Sequence, residues 1–223
     1  MESSNRKNAV SVKANWLDLQ KALKMQSEYI DQHYRVERLE KNIVYRVINV
    51  FWAICIGIVS TPLLILGVAL VWIGSGRPIL YRQKRVGFQG KIFWLVKLRT
   101  MELVDGESQI TRFGAFLRKH RIDEIPQIWN IIRGDMNLVG PRPEMEEIVP
   151  ELLESIPGYQ QRWKVRPGIT GWAQVNSGYA DTVKSRMEKN RDDLYYIIHR
   201  SFVLDLKIIL RTVSVVLTGK GAR

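Results

Sequence analysis

From Val47 to Ile73 the chain carries no charged residue, and this run constrains the fold more than any other feature. As one straight helix it would be roughly 40 Å long, against a bilayer hydrocarbon core of about 30 Å. A tilted transmembrane span is one reading; two features favour another. Ser60-Thr61-Pro62 stands in the middle of the run. A proline inside a helix lacks an N–H and crowds the carbonyl four residues back, while neighbouring hydroxyls bond freed backbone groups. A sharp kink is expected there, with Ser60 and Pro62 as the break. Each half is then too short to cross alone. The second feature is charge: Lys41 and Arg46 flank one end, and Arg77, Arg82, Lys84 and Arg85 flank the other. Positive charge marks the cytoplasmic side, so both ends are expected to be cytoplasmic. A re-entrant helix-break-helix over residues 44–74 satisfies both features; a single-pass span remains the alternative.

Residues 1–43 are polar, with a loose helical repeat through Trp16, Leu19, Leu23, Ile30 and Tyr34. They predict a helical arm, solvated or partner-binding, and a candidate homodimer surface. Residues 75–223 predict a cytoplasmic α/β domain, rich in helix with a small β-hairpin. Pro78–Tyr81 and Lys91–Lys97 are short β-rich runs separated by Gly87-Phe88-Gln89-Gly90. Helices are expected over 111–120, over 122–132 ending at Gly134, over 144–156 bent or broken by Pro150, and over 181–199. The last, 202–217, is strongly apolar and could pack under the domain or lie in the membrane interface. Pro167–Gly171 reads as a turn-rich loop.

The formal net charge of +12 suits nucleic acid, anionic lipid or a phosphorylated substrate. Sequence strings of known nucleic-acid-binding modules are absent. One cysteine, Cys55, excludes a disulfide framework and fits a cytosolic setting. With only three histidines beside it, no zinc-like spacing exists. No signal peptide is expected, since the first apolar run begins beyond residue 40.

Asp123 and Glu124 lie side by side at the end of a strongly basic stretch that includes Lys97, Arg99, Arg118, Lys119 and Arg121. Two carboxylates ringed by cations suit chemistry on a phosphate ester: cations bind the phosphates, and carboxylates hold a metal or attack. Pro126 is tolerated only in the first turn of a helix, which puts Asp123 at or near an N-cap. The competing reading is that Asp123 merely caps that helix. Lys97 and Arg99, alternate residues at a strand end, would share one face, and both are candidates, with Arg118 and Arg142, to bind substrate phosphate or uridine. Arg142, held between Pro141 and Pro143, presents a planar fork at low entropic cost, suited to a phosphate or a nucleobase edge.

Taken in order, a set of strings resembles the monotopic phosphoglycosyl transferases, the bacterial sugar transferase family. The strings are Gly76-Arg-Pro78, Gln83-Lys-Arg-Val-Gly87, Lys97-Leu-Arg-Thr-Met101, Thr111-Arg-Phe-Gly114, Leu117-Arg118 with Asp123-Glu-Ile-Pro-Gln127, Gly134 to Pro143, Val165 to Asn176, and Asp205 to Ile209. They cover about residue 44 onward. The resemblance implies transfer of a phospho-sugar from a UDP-sugar to polyprenyl (undecaprenyl) phosphate, with release of UMP, on the cytoplasmic face of the bacterial inner membrane. It implies a re-entrant membrane helix assisted by amphipathic interface helices, and a need for Mg²⁺. It further implies Asp123 as nucleophile, through a covalent phospho-sugar ester, with Glu124 assisting through the metal or by activating the acceptor. Lys97, Arg118 and Arg142 would bind phosphate or uridine. Three departures stand out: Thr61 separates the serine and proline of the membrane break, Ser177-Gly178-Tyr179 follows Asn176 where a Gly-Arg is common, and His120-Arg121-Ile122 replaces a frequent Thr-Ser-Leu. The rival class is a non-enzymatic, membrane-anchored scaffold whose basic face binds anionic lipid.

Overall fold

The computed structural model describes residues 2–32, 40–176 and 182–218. Its elements run α1 (Glu2–Gln32), α2 (Ile43–Ser75), β1 (Leu80–Val86), β2 (Ile92–Leu98), β3 (Met101–Val104), β4 (Glu107–Ile110), α3 (Arg112–Lys119), α4 (Ile128–Arg133), β5 (Asn137–Val139), α5 (Val149–Ser155), β6 (Gly168–Thr170), α6 (Trp172–Asn176), α7 (Val183–His199) and α8 (Phe202–Thr218). Short 3-10 turns link several of them. Over the described residues the fold is helix-rich, with three two-stranded sheets.

The apolar run forms one long helix, α2, and its length and composition would let it cross a membrane. Asn42 caps its start by accepting from the Val44 and Tyr45 amides, the former at 2.9 Å. The helical backbone continues through Pro62 rather than breaking there. Around the proline, Ser60 Oγ donates to the Ile56 carbonyl at 2.7 Å and Thr61 Oγ1 to the Gly57 carbonyl at 2.8 Å. Such back-bonding bends a helix without ending it.

Both ends of α2 dock on the same domain. Near the start, Arg46 donates to the carbonyls of Ile131 and Met136, and Asn49 Oδ1 accepts the Leu138 amide at 3.0 Å. Toward the end, Val71 is buried with Leu98, Leu117 and Ile122. Gly67 makes this close approach possible: a Cβ there would stand 2.7 Å from Leu98 and 3.0 Å from Ile122. The opposite face is apolar and bare, with Phe51, Trp52, Ile58, Val59, Leu63 and Ile65 exposed and Val59 at 80 %. α8 likewise exposes Phe202, Val203, Leu206, Leu210 and Val213, and α4 exposes Trp129. Large apolar side chains exposed in such number along a helix mark a membrane or partner contact.

The expected hairpin is present as β1 and β2, antiparallel with Leu80 opposite Leu98 and Val86 opposite Ile92. A second hairpin, β3–β4, was not expected; Asp105 and Gly106 turn it with positive φ at both positions. The loop at Pro167–Gly171 contains β6, which runs parallel to β5. Pro150 sits in the first turn of α5 and starts that helix instead of breaking one. The N-terminal segment is helical, as expected, but is not a solvated arm over its described side chains: Leu19, Leu23 and Ile30 are buried in the main core. Asp31 Oδ1 pairs with Lys164 at 2.6 Å, and Ser27 accepts from Gln161 at 3.0 Å. Tyr34 lies outside the described residues.

Candidate active site

The acidic pair lies in a 3-10 turn, Ile122–Gln127, between α3 and α4. Thr111 caps α3 by accepting the Gly114 amide at 2.9 Å. Pro126 keeps the turn tight, and the regular helix begins only at Ile128. Ile122 plugs into the cluster beneath α2 and fixes one side of the turn. Asn130 fixes the other: fully buried, it donates to the Trp94 carbonyl at 2.7 Å and accepts the Val96 amide at 3.2 Å, tying α4 to β2.

The capping position at the start of this turn belongs to Arg121, which is left-handed with φ 56° and makes no capping hydrogen bond. Asp123, two residues further in than this cap, is 6 % exposed. No side chain among the described residues pairs with its carboxylate by hydrogen bond or salt bridge. Burial pushes its pKa up to about 6, and the neighbouring Glu124 carboxylate adds to this, against the opposing pull of Lys97, Arg118 and Arg121. The simple cap reading therefore has no geometry behind it.

Glu124 is held differently. Its Oε1 accepts from Arg142 Nη2 at 2.8 Å and lies 3.6 Å from Arg121. Burial raises its pKa, but Arg142 and Arg121 outweigh that and leave it below the usual carboxylate range. In turn, the Glu124 charge holds the Arg142 guanidinium firmly protonated.

The cations come from three places. Lys97, on β2, rests its ammonium 5.3 Å above the Tyr81 ring; burial lowers its pKa, Asp123 opposes this, and Arg118 adds to it. Arg118, at the end of α3, donates to Thr100 Oγ1 at 2.9 Å. Arg142 stands in a loop pinned on several sides: its own carbonyl accepts from Arg162 at 2.7 Å, the Pro143 carbonyl from Arg85 at 3.1 Å, and the Pro141 carbonyl from the Gly168 amide at 3.0 Å. Gly140 allows this crossing, because a Cβ there would collide with the Arg166 carbonyl.

Lys97, Arg118 and Arg142 thus converge on Asp123 and Glu124. Arg99 does not join them. Strand β2 ends at Leu98, and Arg99 turns to the C-terminus of α2, donating to the carbonyls of Ser75, Gly76 and Arg77. Ser60 and Pro62 lie within α2, outside this cluster. Residues 177–181, where the resemblance predicts a departure, lie outside the described residues.

Behind Arg142 is a layer that sequence reasoning did not single out. Arg162, 7 % exposed, pairs with Asp193 at 3.0 Å and donates to Tyr159 Oη at 2.8 Å. Arg85 is half-buried near Arg142 and Glu144, and both its burial and Arg142 lower its pKa. A tryptophan-flanked arginine and a helix-borne acid far apart in sequence leave no local signature.

A family model described as bacterial sugar transferase matches residues 40–219. The chain belongs to the bacterial sugar transferase family. Among its relatives, a UDP-N-acetylgalactosamine-undecaprenyl-phosphate N-acetylgalactosaminephosphotransferase of Aeromonas hydrophila is 40 % identical over 173 residues, covering 73 % of this chain and 41 % of that protein. A UDP-glucose:undecaprenyl-phosphate glucose-1-phosphate transferase of Caulobacter vibrioides is 39 % identical over 189 residues, covering 79 % and 71 %. The uncharacterized sugar transferase EpsL of Bacillus subtilis is 36 % identical over 187 residues, covering 80 % and 90 %. The chain thus spans less than half of the Aeromonas relative and most of the Bacillus one. The matched region contains the acidic pair, the basic ring and the Pro141-Arg142-Pro143 loop, so the bacterial sugar transferase core of this chain is the part that carries the site.

Proposed function

We propose that this protein is a membrane-surface phosphoglycosyl transferase that moves a phospho-sugar from a UDP-sugar to polyprenyl phosphate and releases UMP. The observation that carries this is the pairing of a buried, unpartnered Asp123 with a Glu124 already committed to Arg142. Adjacent carboxylates whose acidities are pushed apart have separate roles. The names of the Aeromonas and Caulobacter relatives support the same donor and acceptor classes.

In the first half-reaction an Asp123 carboxylate oxygen attacks the sugar-bearing phosphorus of the donor. The bond from that phosphorus to the bridging oxygen breaks, and UMP leaves with the electron pair. In the second, a phosphate oxygen of the polyprenyl acceptor attacks the same phosphorus, the aspartyl ester bond breaks, and Asp123 is regenerated. Covalent catalysis splits one hard transfer into two easier ones. It also lets a soluble donor and a bilayer-bound acceptor use one shallow site in turn. Lys97, Arg118 and Arg142 offset the phosphate charge that would otherwise repel the attacking carboxylate.

Two carboxylates suit magnesium. Among the described residues no group of three or more acidic, histidine or cysteine side chains gathers, so an all-protein cage is absent. Magnesium bound through one or two carboxylates plus substrate phosphates and water needs no more. Asp123 and Glu124 would hold it, and when bound it would neutralise diphosphate charge.

The docking of both ends of α2 on one domain, with a bare apolar face between, supports a helix that enters the bilayer and returns to the same side. We place that side at the cytoplasmic face of the bacterial inner membrane. Against a purely lipid-binding scaffold stands the energetic cost of Asp123: such a protein has no use for an unpaired carboxylate buried under cations. The test is UMP release across a panel of UDP-sugars, with and without polyprenyl phosphate. Release from at least one donor, lost in Asp123→Asn, is expected; no release from any donor would favour the scaffold.

A further inference from the structure

One face of β1 carries Tyr81, Gln83 and Arg85, alternate residues of the strand. Two of the three are committed. Arg85 donates to Gln83 Oε1 at 2.7 Å and to the Pro143 carbonyl at 3.1 Å, and Gln83 donates to Met145 Sδ at 2.8 Å. Tyr81 is 42 % exposed, and its hydroxyl has no hydrogen-bond partner among the described residues. It stands opposite Lys97 across the hairpin, with the ammonium 5.3 Å from the ring centroid. Trp94, the other exposed ring of this hairpin, lies opposite Lys84 and projects from the other face. Among the described residues, Tyr81 is the one ring in cation–π contact with the cations gathered around Asp123.

The chemistry of the donor decides which of its groups meets this ring. In phosphoryl transfer the attacking and leaving oxygens are roughly in line. With Asp123 attacking, the leaving UMP points away from the carboxylate, while the sugar stays on the phosphorus beside it. Outward from that phosphorus, the nucleotide side has a second phosphate and then uridine; the sugar side has no further anion. Outward from Asp123, the protein has the Lys97 ammonium, within reach of the carboxylate charge, and then the Tyr81 ring. A cation followed by a flat ring matches a phosphate followed by a base. Lys97 covers part of one ring face, and the exposed remainder can take a planar group. Bases stack on such rings through their π-faces.

We propose that Tyr81 stacks the uracil of the UDP-sugar donor, with Lys97 on the phosphate next to it. This inference rests on the transferase reading of the same site. Tyr81 takes no part in bond making; it sets the affinity for the nucleotide half of the donor, and so for UMP as product.

The experiment is titration of UMP and of inorganic pyrophosphate, each alone, into the full chain in detergent. Tyr81→Ala should weaken UMP binding about tenfold or more, the usual loss for one base–aromatic stack, and leave pyrophosphate binding within about twofold. Tyr81→Phe, which keeps the ring, should bind UMP within about twofold of the wild type. Equal losses of UMP and pyrophosphate in Tyr81→Ala would mean that the ring only braces Lys97, and would overturn the proposal. An unchanged UMP affinity would overturn it as well; if binding to phosphatidylglycerol vesicles fell at the same time, the ring would be a bilayer anchor. A Tyr81→Phe variant as weak as Tyr81→Ala would assign the hydroxyl instead of the stack, and would also overturn it. A wild-type chain that binds UMP through Tyr81 but releases none from any UDP-sugar would overturn the transferase reading and leave the base site standing.

Discussion

Arg142 donates to Glu124 at 2.8 Å, and this single contact separates the roles of two adjacent acids. With Glu124 committed and held below the usual carboxylate range, Asp123 is left buried, unpartnered and raised to about 6. Removing the contact should therefore damage catalysis more than folding. Arg142→Ala is expected to lower kcat/KM for UMP release by about 10²–10³-fold, the usual loss for one preorganised charge donor. Arg142→Lys should recover only part of it, because a point charge does not replace the fork. Steady-state kinetics on both variants checks this; full recovery by lysine would mean that charge alone matters.

Asp123 must be ionised to attack. With its pKa near 6, kcat/KM should rise with pH through about 6 and level off above. The stability effect has the opposite sense. The folded pKa lies above the unfolded value of 3.8, so the folded state holds the proton more tightly and stability falls as pH rises between those two values. Asp123→Asn should thus stabilise the protein at pH 8, by at most about 3 kcal/mol, and leave it unchanged below pH 3.8. Unfolding in detergent at the two pH values reads the difference. A variant no more stable at pH 8 would mean that the carboxylate is well solvated.

Arg99 caps α2 by donating to three consecutive carbonyls, Ser75, Gly76 and Arg77. Arg99→Ala should cost about 1 kcal/mol of stability, through lost hydrogen bonds to half-buried and exposed carbonyls, while the KM for UDP-sugar in the surviving folded fraction stays within a factor of about two. A selective rise in KM at unchanged Tm would instead put Arg99 in the substrate site.

If α2 enters and leaves by one face, residues on either side of it are reachable from that face. In a Cys55→Ser background, Lys41→Cys and Arg77→Cys should both be labelled by an impermeant thiol reagent in inverted membrane vesicles, and neither in right-side-out vesicles. Labelling of the two from opposite faces would establish a crossing helix. Ile58→Lys with Val59→Lys, on the exposed apolar face, should weaken vesicle binding because each charge must leave the hydrocarbon region.

Much of this architecture is legible in local sequence. The uncharged run and the β1–β2 hairpin each rest on neighbours in the chain, whereas the helix expected from Ile122 begins only at Ile128, after a 3-10 turn. The β3–β4 hairpin was hidden because its strands are short and exposed, with no buried face to impose an alternation, although Asp105-Gly106 is a turn signal. β6 was hidden because Pro167-Gly168 reads as a turn, and its pairing with β5 depends on two glycine-bearing backbones meeting across 28 residues of chain. Lys97 and Arg99 share a face only while the strand continues, and it stops between them. Asp193 and Arg162 reach the site from helices distant in sequence, so their pairing has no local pattern. The break expected at Pro62 does not appear: the hydroxyls of Ser60 and Thr61 engage carbonyls one turn back, and the helical backbone continues.

The most direct test is to incubate the protein with a donor UDP-sugar labelled in its β-phosphate, with no polyprenyl phosphate present, and to map the label by mass spectrometry. The account predicts one equivalent of UMP released in a burst, a phospho-sugar on Asp123, its discharge on adding polyprenyl phosphate, and none of these in Asp123→Asn. A label on another residue, or near-native turnover by Asp123→Asn, would contradict it.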